Sequence, residues 1–565
     1  MHIETVPNRG SPPAVLLRES YREGKKVKKR TLANLSSLST AQVESMRLVL
    51  KGATLAPATD LFECVSSFHH GHVQAVRTTM QRLGFMEVLA SRSSRERDLV
   101  AALVTAQILN PSSKLASTRW WGNTTIPKLF DVEGAHEDDL YEAMDWLLDR
   151  QPHIEKKLAA RHLSEGGLVL YDLTSTYFEG VTCPLAKLGY NRDGKSGKLQ
   201  VNYGLMTDVR GCPVAVSVFE GNTGDPKTVM PQVKKAKDEF GIQRLVLVGD
   251  RGMVTQAQID EFKTQDGIDW IGALKTGAIR KLADAGLLQL ELFDERNLFE
   301  VTHEDFPDER LVACRNPALA RLRAHKRQSL LDATKAQLEK VKTMVSNGTL
   351  QGKAKIGVRI GKIINKYKMA KHFELEIGDD SFSWKTKDEQ IAAEAALDGI
   401  YVIRTSLRKS TISADDAVRS YKRLSEVERA FRSMKMLDLE VRPIHHRLEN
   451  RVRAHIFLCM LAYYVKWHMN EAWRPLLFCD EDLQAKKLKN PVLPAKRSKS
   501  AARKAHRKIL DDLEPVHSFQ TLLQKLSAIV RNVCRTHSGS ATFALTTTPG
   551  ATQRKALALL EAIQL

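Results

Sequence analysis

The chain has 565 residues, which is enough for several domains, because one hydrophobic core rarely serves more than about 250–300 residues. Its composition is that of a globular protein, with 43% hydrophobic and 27% charged residues, and this excludes a chain that is disordered throughout. Lys plus Arg number 86 against 66 Asp plus Glu, a net charge of +20, which favours a polyanionic partner, although a solvated basic surface or binding to anionic lipid fits the same balance.

No membrane partner is expected, because the longest apolar run, residues 456–465, is far shorter than the roughly 20 residues that a spanning helix needs. The first residues lack the basic and apolar regions of a secretory signal. The seven cysteines are scattered and include no Cys-x-x-Cys pair, which indicates free thiols in a reducing cytoplasm and offers no zinc site.

Near the N-terminus, residues 15–32 carry the pattern of a β-hairpin that turns at Glu23-Gly24. The basic residues that follow this turn are Lys25, Lys26, Lys28, Lys29 and Arg30. A ribbon that contacts DNA phosphates and an ordinary exposed strand explain this pattern equally well.

Residues 41–160 show mostly helical patterns, including a helix over 95–109 that begins after two serines and ends before Asn110-Pro111. Within this region His69-His70-Gly71-His72 could suggest a metal site. No partner ligand has a suitable spacing, so we favour ordinary structural roles for these histidines.

From residue 166 the pattern changes to short apolar runs that alternate with helices. The predicted strands are 168–171, 200–206, 213–219, 245–248 and 270–274, and the predicted helices are 225–240 and 255–265. The order β-β-β-α-β-α-β predicts a sheet that is covered on both faces.

About 120 residues then interrupt this rhythm. They contain a basic amphipathic helix over 317–343, a lysine-rich stretch over 353–372 and a small hairpin over 373–385. Sheet-like sequence resumes at 399–403, before a long helix that begins at 414.

After an apolar helix over 452–467, the chain becomes strongly basic over 484–508, and Pro491 and Pro494 within this segment indicate a linker or arm. Its basic residues are Lys486, Lys487, Lys489, Lys496, Arg497, Lys499, Arg503, Lys504, Arg507 and Lys508. Residues 515–565 are predicted to be helical.

Two of the apolar strands end on an aspartate, Asp172 in one case and Asp250 in the other. Strand ends at one edge of a sheet are rigid and open onto loops, which suits catalytic groups. Taken singly, either aspartate is more often a turn or capping residue. The same placement on two strands favours a catalytic pair.

A third carboxylate, Glu428, lies on the helix that begins after Ser413, where Ser413 and Asp416 form a capping box. The apolar positions of that helix are Ala417, Tyr421, Leu424, Phe431 and Met434. Because Glu428 falls on their stripe, we expect it to be buried and to need a metal or a cation. A surface pair with Arg432 is the alternative.

Seven residues advance a helix by almost two turns, so Tyr421, Glu428 and Lys435 share one face. Glu426 points in another direction, and we expect it at the surface.

Four segments resemble the bacterial insertion-sequence transposases that carry a DDE triad. They are Tyr-Asp-Leu-Thr at 171–174, Gly-Asn-Thr-Gly-Asp-Pro at 221–226, Gly-Asp-Arg-Gly-Met at 249–253, and 421–435. That family spaces Tyr, Arg, Glu and Lys as Y-x2-R-x3-E-x6-K, and Tyr421, Glu428 and Lys435 match in register. Leu424 stands at the arginine position, and Arg423 precedes it.

The resemblance implies a multidomain α/β protein: an RNase H-like mixed-sheet catalytic core with an insertion domain, a helical N-terminal region preceded by a β-hairpin, and a helical C-terminal region. The implied boundaries are 1–160 for the DNA-binding N-terminal region, 161–278 and 398–470 for the core, 279–397 for a mostly β or mixed insertion, and 471–565 for the basic arm and C-terminal region.

The resemblance also implies an enzyme that binds the ends of a mobile element and cleaves and joins DNA in a cut-and-paste reaction. Asp172, Asp250 and Glu428 would be catalytic and hold two Mg²⁺ or Mn²⁺ ions, since clustered carboxylates repel one another without a cation. The expected DNA contacts come from the hairpin lysines and from Tyr421, Lys435, Arg423 and Arg251.

The expected partners are double-stranded DNA, as terminal inverted repeats and as target, and a second copy of the chain in the synaptic complex. The expected location is the bacterial cytoplasm, on the nucleoid. Two alternatives stay open: a metal-dependent nuclease with the same core and no strand transfer, and a catalytically inactive DNA-binding protein derived from a transposase.

Overall fold

The computed structural model describes residues 1–53, 62–195, 197–289, 293–482, 490–536 and 541–564. The chain forms two compact units, Met1–Phe68 with Val530–Thr548 and His69–Ile529 with Pro549–Leu565. This division differs from the predicted region 1–160, because the helices between residues 71 and 162 belong to the hydrophobic core of the larger unit. The function assigned to 1–160 stays a prediction.

The smaller unit contains two antiparallel sheets and one helix. Its elements are β1 (His2–Val6), β2 (Ala14–Glu23), β3 (Lys26–Asn34), α1 (Thr40–Leu50), β4 (Phe62–His69) and, from the C-terminal part of the chain, Val530–Thr536 and Thr542–Thr546. The predicted hairpin is confirmed, since Glu23 pairs with Lys26 across the turn. The helical prediction for 515–565 is wrong over the two C-terminal strands, where Val and Thr side chains favour extended backbone.

Helices form the first part of the larger unit. They are α2 (Gly71–Arg82), α3 (Phe85–Leu89), α4 (Arg95–Leu109), α5 (Lys114–Trp121), α6 (Ile126–Leu129), α7 (Glu137–Asp149) and α8 (Gln151–His162). Helix α4 has the predicted bounds, and the Ser94 side chain caps it by accepting a hydrogen bond from the Arg97 amide.

An eight-stranded mixed sheet follows, in the order β10-β11-β14-β9-β8-β5-β6-β7. Its strands in chain order are β5 (Leu168–Tyr177), β6 (Gln200–Thr207), β7 (Pro213–Glu220), β8 (Leu245–Val248), β9 (Ile268–Ala273), β10 (Leu298–Val301), β11 (Arg310–Arg315) and β14 (Ile400–Thr405). A separate hairpin consists of β12 (Phe373–Ile377) and β13 (Phe382–Thr386). The two C-terminal strands of the smaller unit are β15 and β16. Strand β8 runs parallel to β5 and β9. The five predicted core strands are therefore confirmed, but the prediction that the first one ends on Asp172 is wrong, because β5 continues to Tyr177.

The remaining helices surround this sheet or extend from it. They are α9 (Val229–Lys234), α10 (Gln256–Lys263), α11 (Thr276–Asp284), α12 (Pro317–Ser346), α13 (Lys353–Tyr367), α14 (Asp388–Ala396), α15 (Ala414–Lys422), α16 (Leu424–Arg432), α17 (Glu449–Ala472), α18 (Lys499–Arg507), α19 (Phe519–Ser527) and α20 (Ala551–Glu561), with short 3-10 or π turns over Asp225–Thr228, Lys235–Glu239, Ala370–His372 and Ser433–Leu437. Alternate residues of β5 show that helices cover both faces: Leu170 joins the core that contains α4 and α17, and Val169 and Tyr171 join the core that contains α9 and α10.

The predicted insertion, 279–397, is divided between two structures. Strands β10 and β11 extend the central sheet through β14. Helices α12 and α13 pack with the β12–β13 hairpin around a separate apolar core that includes Leu338, Ile360 and Phe373. The insertion is thus mixed α/β, with a 30-residue helix as its longest element.

The described part of the basic segment is not a free arm, so that prediction is wrong for residues 490–508. The Val492 carbonyl accepts hydrogen bonds from Lys422 Nζ at 2.6 Å and Asn316 Nδ2 at 3.2 Å. Residues Lys499–Arg507 form α18, which buries Lys504 against the Arg474 carbonyl. Lys486, Lys487 and Lys489 lie outside the described residues. In the described ranges, no helix is both long and apolar enough to cross a membrane.

Candidate active site

The register of the central sheet places Asp172 beside Asp250. Strands β5 and β8 are parallel, with Leu170 opposite Val248. Each aspartate lies two residues beyond this pair in the same direction, and adjacent strands are about 4.8 Å apart. A step of two residues returns to the same face of a strand. Both carboxylates are therefore expected on the face of the sheet that carries Leu170.

Backbone amides orient both carboxylates. Asp172 Oδ1 accepts a hydrogen bond from the Leu173 amide at 2.8 Å. Asp250 Oδ1 accepts from the Gly252 and Met253 amides at 2.8 and 2.9 Å, the local turn that Asp favours after a strand. A Cβ atom on Gly252 would lie only 3.2 Å from Asp250 Oδ1, so glycine lets the turn close around this oxygen.

Helix α16 brings Glu428 to the same face of the sheet. Its apolar side packs onto β6, where Phe431 meets Tyr203 edge to face at 5.5 Å between ring centroids. The buried positions of α16 are Leu424, Val427, Ala430 and Phe431. Glu428 is exposed, so the prediction of a buried glutamate is wrong. It lies beside the apolar stripe, close enough for its charge to raise the pKa of Asp172.

The predicted long helix is interrupted twice. Helix α15 ends at Lys422, Arg423 separates it from α16, and a π turn covers Ser433–Leu437. Tyr421 and Glu428 still approach the same carboxylates, since both interact electrostatically with Asp172.

The three carboxylates form a site with an excess of negative charge. Burial, together with the charges of Asp250 and Glu428, raises the pKa of Asp172 to about 7, against the opposing effects of the Leu173 amide and Arg192. Among the described residues, the one group of three possible ligands with donor atoms all within 4.8 Å is His162, Cys212 and His468, so the carboxylate oxygens are spread more widely.

Tyr421 and Arg251 lie at the rim of the cluster. Burial raises the pKa of Tyr421 to about 12, with a further contribution from the Asp250 charge, and the Arg251 backbone is hydrogen-bonded to this tyrosine. The Arg251 side chain is exposed. The structure therefore brings two of the four predicted DNA contacts of the core to the carboxylates.

Arg423 and Glu426 are held away from the cluster. Arg423 donates a hydrogen bond to the Val209 carbonyl at 2.8 Å, in the turn between β6 and β7. Glu426 forms an ion pair with Arg429 at 2.6 Å. Glu426 is thus the glutamate with an ion-pair partner, but it is half-buried, and Glu428 is the more exposed of the two, contrary to the prediction.

Lys435 is buried in an ion-pair network that the sequence did not reveal. Its ammonium lies 3.1 Å from Asp193 Oδ1, and the Arg442 guanidinium lies 2.6 Å from the same oxygen. The Tyr177 amide also donates to Asp193, at 3.2 Å. One carboxylate on the loop between β5 and β6 therefore holds two cations from the segment that follows α16.

The same loop contributes Arg192, which was also not predicted. Its guanidinium forms an ion pair with Asp225 and acts on the charge of Asp172. Asp225 lies near Asp250, since a Cβ atom on Gly252 would be 3.8 Å from Asp225 Oδ2 and 3.2 Å from Asp250 Oδ1. The motif at 221–226 thus supplies a fourth carboxylate, already neutralised by Arg192.

The hairpin lysines lie in the smaller unit and are exposed. Lys28 forms an ion pair with Glu23, and Lys29 lies 3.0 Å from Glu4. For Lys25 and Lys26, no ion pair occurs within the described ranges.

The candidate histidines have protein partners. His69 Nδ1 lies 3.1 Å from the Ser527 carbonyl, and His70 Nδ1 lies 3.0 Å from the Thr125 hydroxyl. Burial lowers the pKa of His72 to about 4.

Comparison with known proteins gives two family matches. The model of the transposase DDE domain matches residues 168–465, which is more than half of the chain. The model of the IS1634 family transposase N-terminal domain matches residues 3–59. No curated protein matches the sequence.

Among solved structures, the chain is similar to a piggyBac transposase in a synaptic complex with hairpin DNA, studied by cryo-electron microscopy. The identity is 10% and the TM-score 0.33, with 80% of this chain and 77% of that chain covered. A likeness this weak does not transfer residue positions from one protein to the other.

Proposed function

Because this chain belongs to the transposases with a DDE domain, we propose that Asp172, Asp250 and Glu428 are the catalytic carboxylates of a cut-and-paste DNA transposase. The observation that carries this proposal is the convergence of three carboxylates from β5, β8 and α16 on one face of the sheet. The strand order β7-β6-β5-β8-β9, with the first three antiparallel and the rest parallel, supports an RNase H-like core.

The residues present fit divalent metal ions. The donors are hard carboxylate oxygens, which Mg²⁺ and Mn²⁺ prefer. The pKa of Asp172 is raised first by burial and then by the charges of Asp250 and Glu428, and a bound cation would favour the ionised form. Asp172, Asp250 and Glu428 would hold the ions. When bound, a pair of such ions supplies activation of the attacking oxygen and stabilisation of the leaving oxygen.

The protein residues then position the DNA. The amides of Leu173, Gly252 and Met253 hold the two aspartates in fixed orientations, which reduces the reorganisation needed during the reaction. Tyr421 and Arg251 at the rim are placed to contact the phosphodiester backbone. Lys435, which Asp193 holds at 3.1 Å, is proposed to bind the phosphate near the cleaved end.

The proposed substrates are the two terminal repeats of a mobile element and a target duplex. Water would attack first at the element end, and the 3′-hydroxyl released would then attack target DNA. Since each element has two ends, we propose that two copies of the chain act together. The smaller unit, with its basic hairpin, is proposed to bind the repeats.

The test is an in vitro reaction with labelled element ends and a target plasmid, in Mg²⁺, Mn²⁺, Ca²⁺ or EDTA. We expect cleaved and joined products in Mg²⁺ and Mn²⁺, and DNA binding without turnover in Ca²⁺, because its longer bonds disturb a two-metal geometry. Cleavage without joined products would identify a nuclease. Full activity in EDTA would remove the metal site from the proposal.

A further inference from the structure

A cavity of about 680 Å³ lies next to the candidate active site, between the central sheet and the insertion. Tyr421 and Arg251 form the end that meets the carboxylates, and Ile400 and Tyr401 of β14 contribute to its lining. The walls come from α11, from the first half of α12, and from residues 367–372 after α13. The cavity therefore connects the site to an insertion with no role in holding the carboxylates.

The lining has an excess of positive charge. Its two carboxylates are already neutralised: Asp398 pairs with Arg327 at 2.6 Å, and Glu394 pairs with Lys371 at 2.6 Å. Five more cationic side chains line the cavity, and within the described ranges none of them forms an ion pair. They are Arg251, Arg280, Arg323, Lys326 and Lys368.

All five side chains are exposed, so water and salt screen part of the repulsion between them. Like charges around one cavity repel each other, and a protein that needed them only for solubility would gain more from spreading them or pairing them with acids. A polyanion that enters the cavity would offset the repulsion and release its own counterions. The observation thus points to a ligand with several phosphates in a row.

We propose that this cavity binds a short stretch of a separated DNA strand that continues from the reacting phosphate, so the proposal rests on the proposed function. Its volume equals that of a cube about 9 Å on edge, whereas the major groove of duplex DNA alone is about 12 Å wide. These dimensions favour one strand over a whole duplex as the occupant. Tyr367 and Tyr401 add aromatic surface between the cations, a combination that single-strand sites use.

The proposal gives the insertion a function. Helix α12 carries Arg323 and Lys326 to the cavity and is packed by its second half against α13 and the β12–β13 hairpin. Helix α11 carries Arg280 from the side of the core. Strand binding would thus use one wall from the core and one from the insertion.

The test compares two triple variants of the full chain. The first is Arg280→Ala with Arg323→Ala and Lys326→Ala. The control is Arg321→Ala with Lys340→Ala and Lys342→Ala, which removes three exposed charges from α12 outside the cavity. Binding of a fluorescent mixed-sequence 12-nucleotide strand and of the matching duplex is measured by anisotropy in EDTA over a range of salt concentrations.

We expect the cavity variant to bind the single strand about tenfold more weakly, with a salt slope lower by about 2, since each single-strand phosphate contact contributes about 0.7. Its duplex affinity and both affinities of the control should change less than threefold. Equal losses in the two variants, or an equal loss for strand and duplex, would overturn the proposal. The assay contains no active metal and measures binding alone. Its result therefore does not depend on whether the protein carries out transposition.

Lysine acetylation followed by mass spectrometry gives an independent result with the unmodified chain. The single strand should protect Lys326 and Lys368 in the cavity and leave Lys340 reactive. Protection of Lys340 with reactive Lys326 and Lys368 would place the strand elsewhere.

Discussion

The carboxylate cluster and the cationic cavity meet at Tyr421 and Arg251, and each carries charge of one sign that the protein leaves uncompensated. The network around Asp193 shows the opposite case, because one carboxylate is shared by Lys435 and Arg442. Paired charges stabilise the fold, whereas uncompensated charges in fixed positions are suited to a ligand. The comparison therefore separates cations that a protein carboxylate already holds in place, including Lys435, from charges that only DNA or metal would offset.

The largest effect is expected from Asp250→Asn, which removes one anionic ligand and keeps the shape of the side chain. Cleavage should fall by about a thousandfold or more, as losses of electrostatic groups in active sites do. Binding of the element end in a gel shift should survive. The matched control is Asp260→Asn, an exposed change on α10 with an expected effect near zero. Cleavage above a tenth of the wild-type rate would remove Asp250 from the site.

A smaller loss is expected from Lys435→Ala, because a hydrogen bond to a charged group contributes about 1.5–3 kcal/mol, or roughly 10–100-fold. The loss should appear mainly in KM for the element end, with kcat much less affected. Lys435→Arg keeps the positive charge beside Asp193 and should restore most of the affinity. A loss confined to kcat would mean that Lys435 acts on the reaction itself and does not position DNA.

The sequence predicted the helices and strands of the core because hydrophobic periodicity determines them locally. The neighbouring positions of the two aspartates could also be predicted from the apolar runs that precede them, although Asp172 lies inside β5 and only Asp250 follows the end of its strand. Glu428 was predicted in the interior but is exposed, because periodicity does not show where a neighbouring element leaves a face open; its catalytic role stays a prediction.

The Asp193–Lys435 pair was missed for a different reason. The two residues are 242 positions apart, and only the folded loop between β5 and β6 brings them together. The cationic cavity was missed because its charges come from separate segments of the core and insertion. Single-sequence patterns do not contain such long-range contacts.

The substitution Asp172→Asn tests, through the free energy of unfolding, whether the charge of Asp172 is unfavourable in the folded state. The pKa of Asp172 is raised to about 7 from an ordinary 3.8, so the folded state favours the protonated form, and stability is lost as pH rises through 7. In EDTA at pH 8, the variant should be more stable by about 1 kcal/mol or more, since each pKa unit corresponds to about 1.4 kcal/mol. Below pH 4 the difference should vanish. Denaturant titrations at both pH values measure it, and lower stability of the variant at pH 8 would contradict an unfavourable Asp172 charge in the folded state.

The smallest effect is expected in the hairpin of the smaller unit. Lys25→Ala with Lys26→Ala removes two unpaired charges and should weaken duplex binding two- to fivefold, with a salt slope lower by up to about 1.8. Lys28→Ala with Lys29→Ala removes charges already paired with Glu23 and Glu4 and should have the smaller effect. Both double variants are measured by anisotropy on one duplex. If Lys28→Ala with Lys29→Ala weakens binding more than Lys25→Ala with Lys26→Ala, the prediction that unpaired lysines contribute more to DNA binding is wrong.

The most direct test of the central claim uses the two glutamates of α16. Glu426 and Glu428 are about 200° apart around the helix; the first pairs with Arg429, and the second faces Asp172. Cleavage and gel-shift assays on the same DNA compare Glu428→Gln with Glu426→Gln. We predict that Glu428→Gln abolishes cleavage and strand transfer while binding persists, and that Glu426→Gln stays near wild type. An inactive Glu426 variant beside an active Glu428 variant would contradict the proposed catalytic triad.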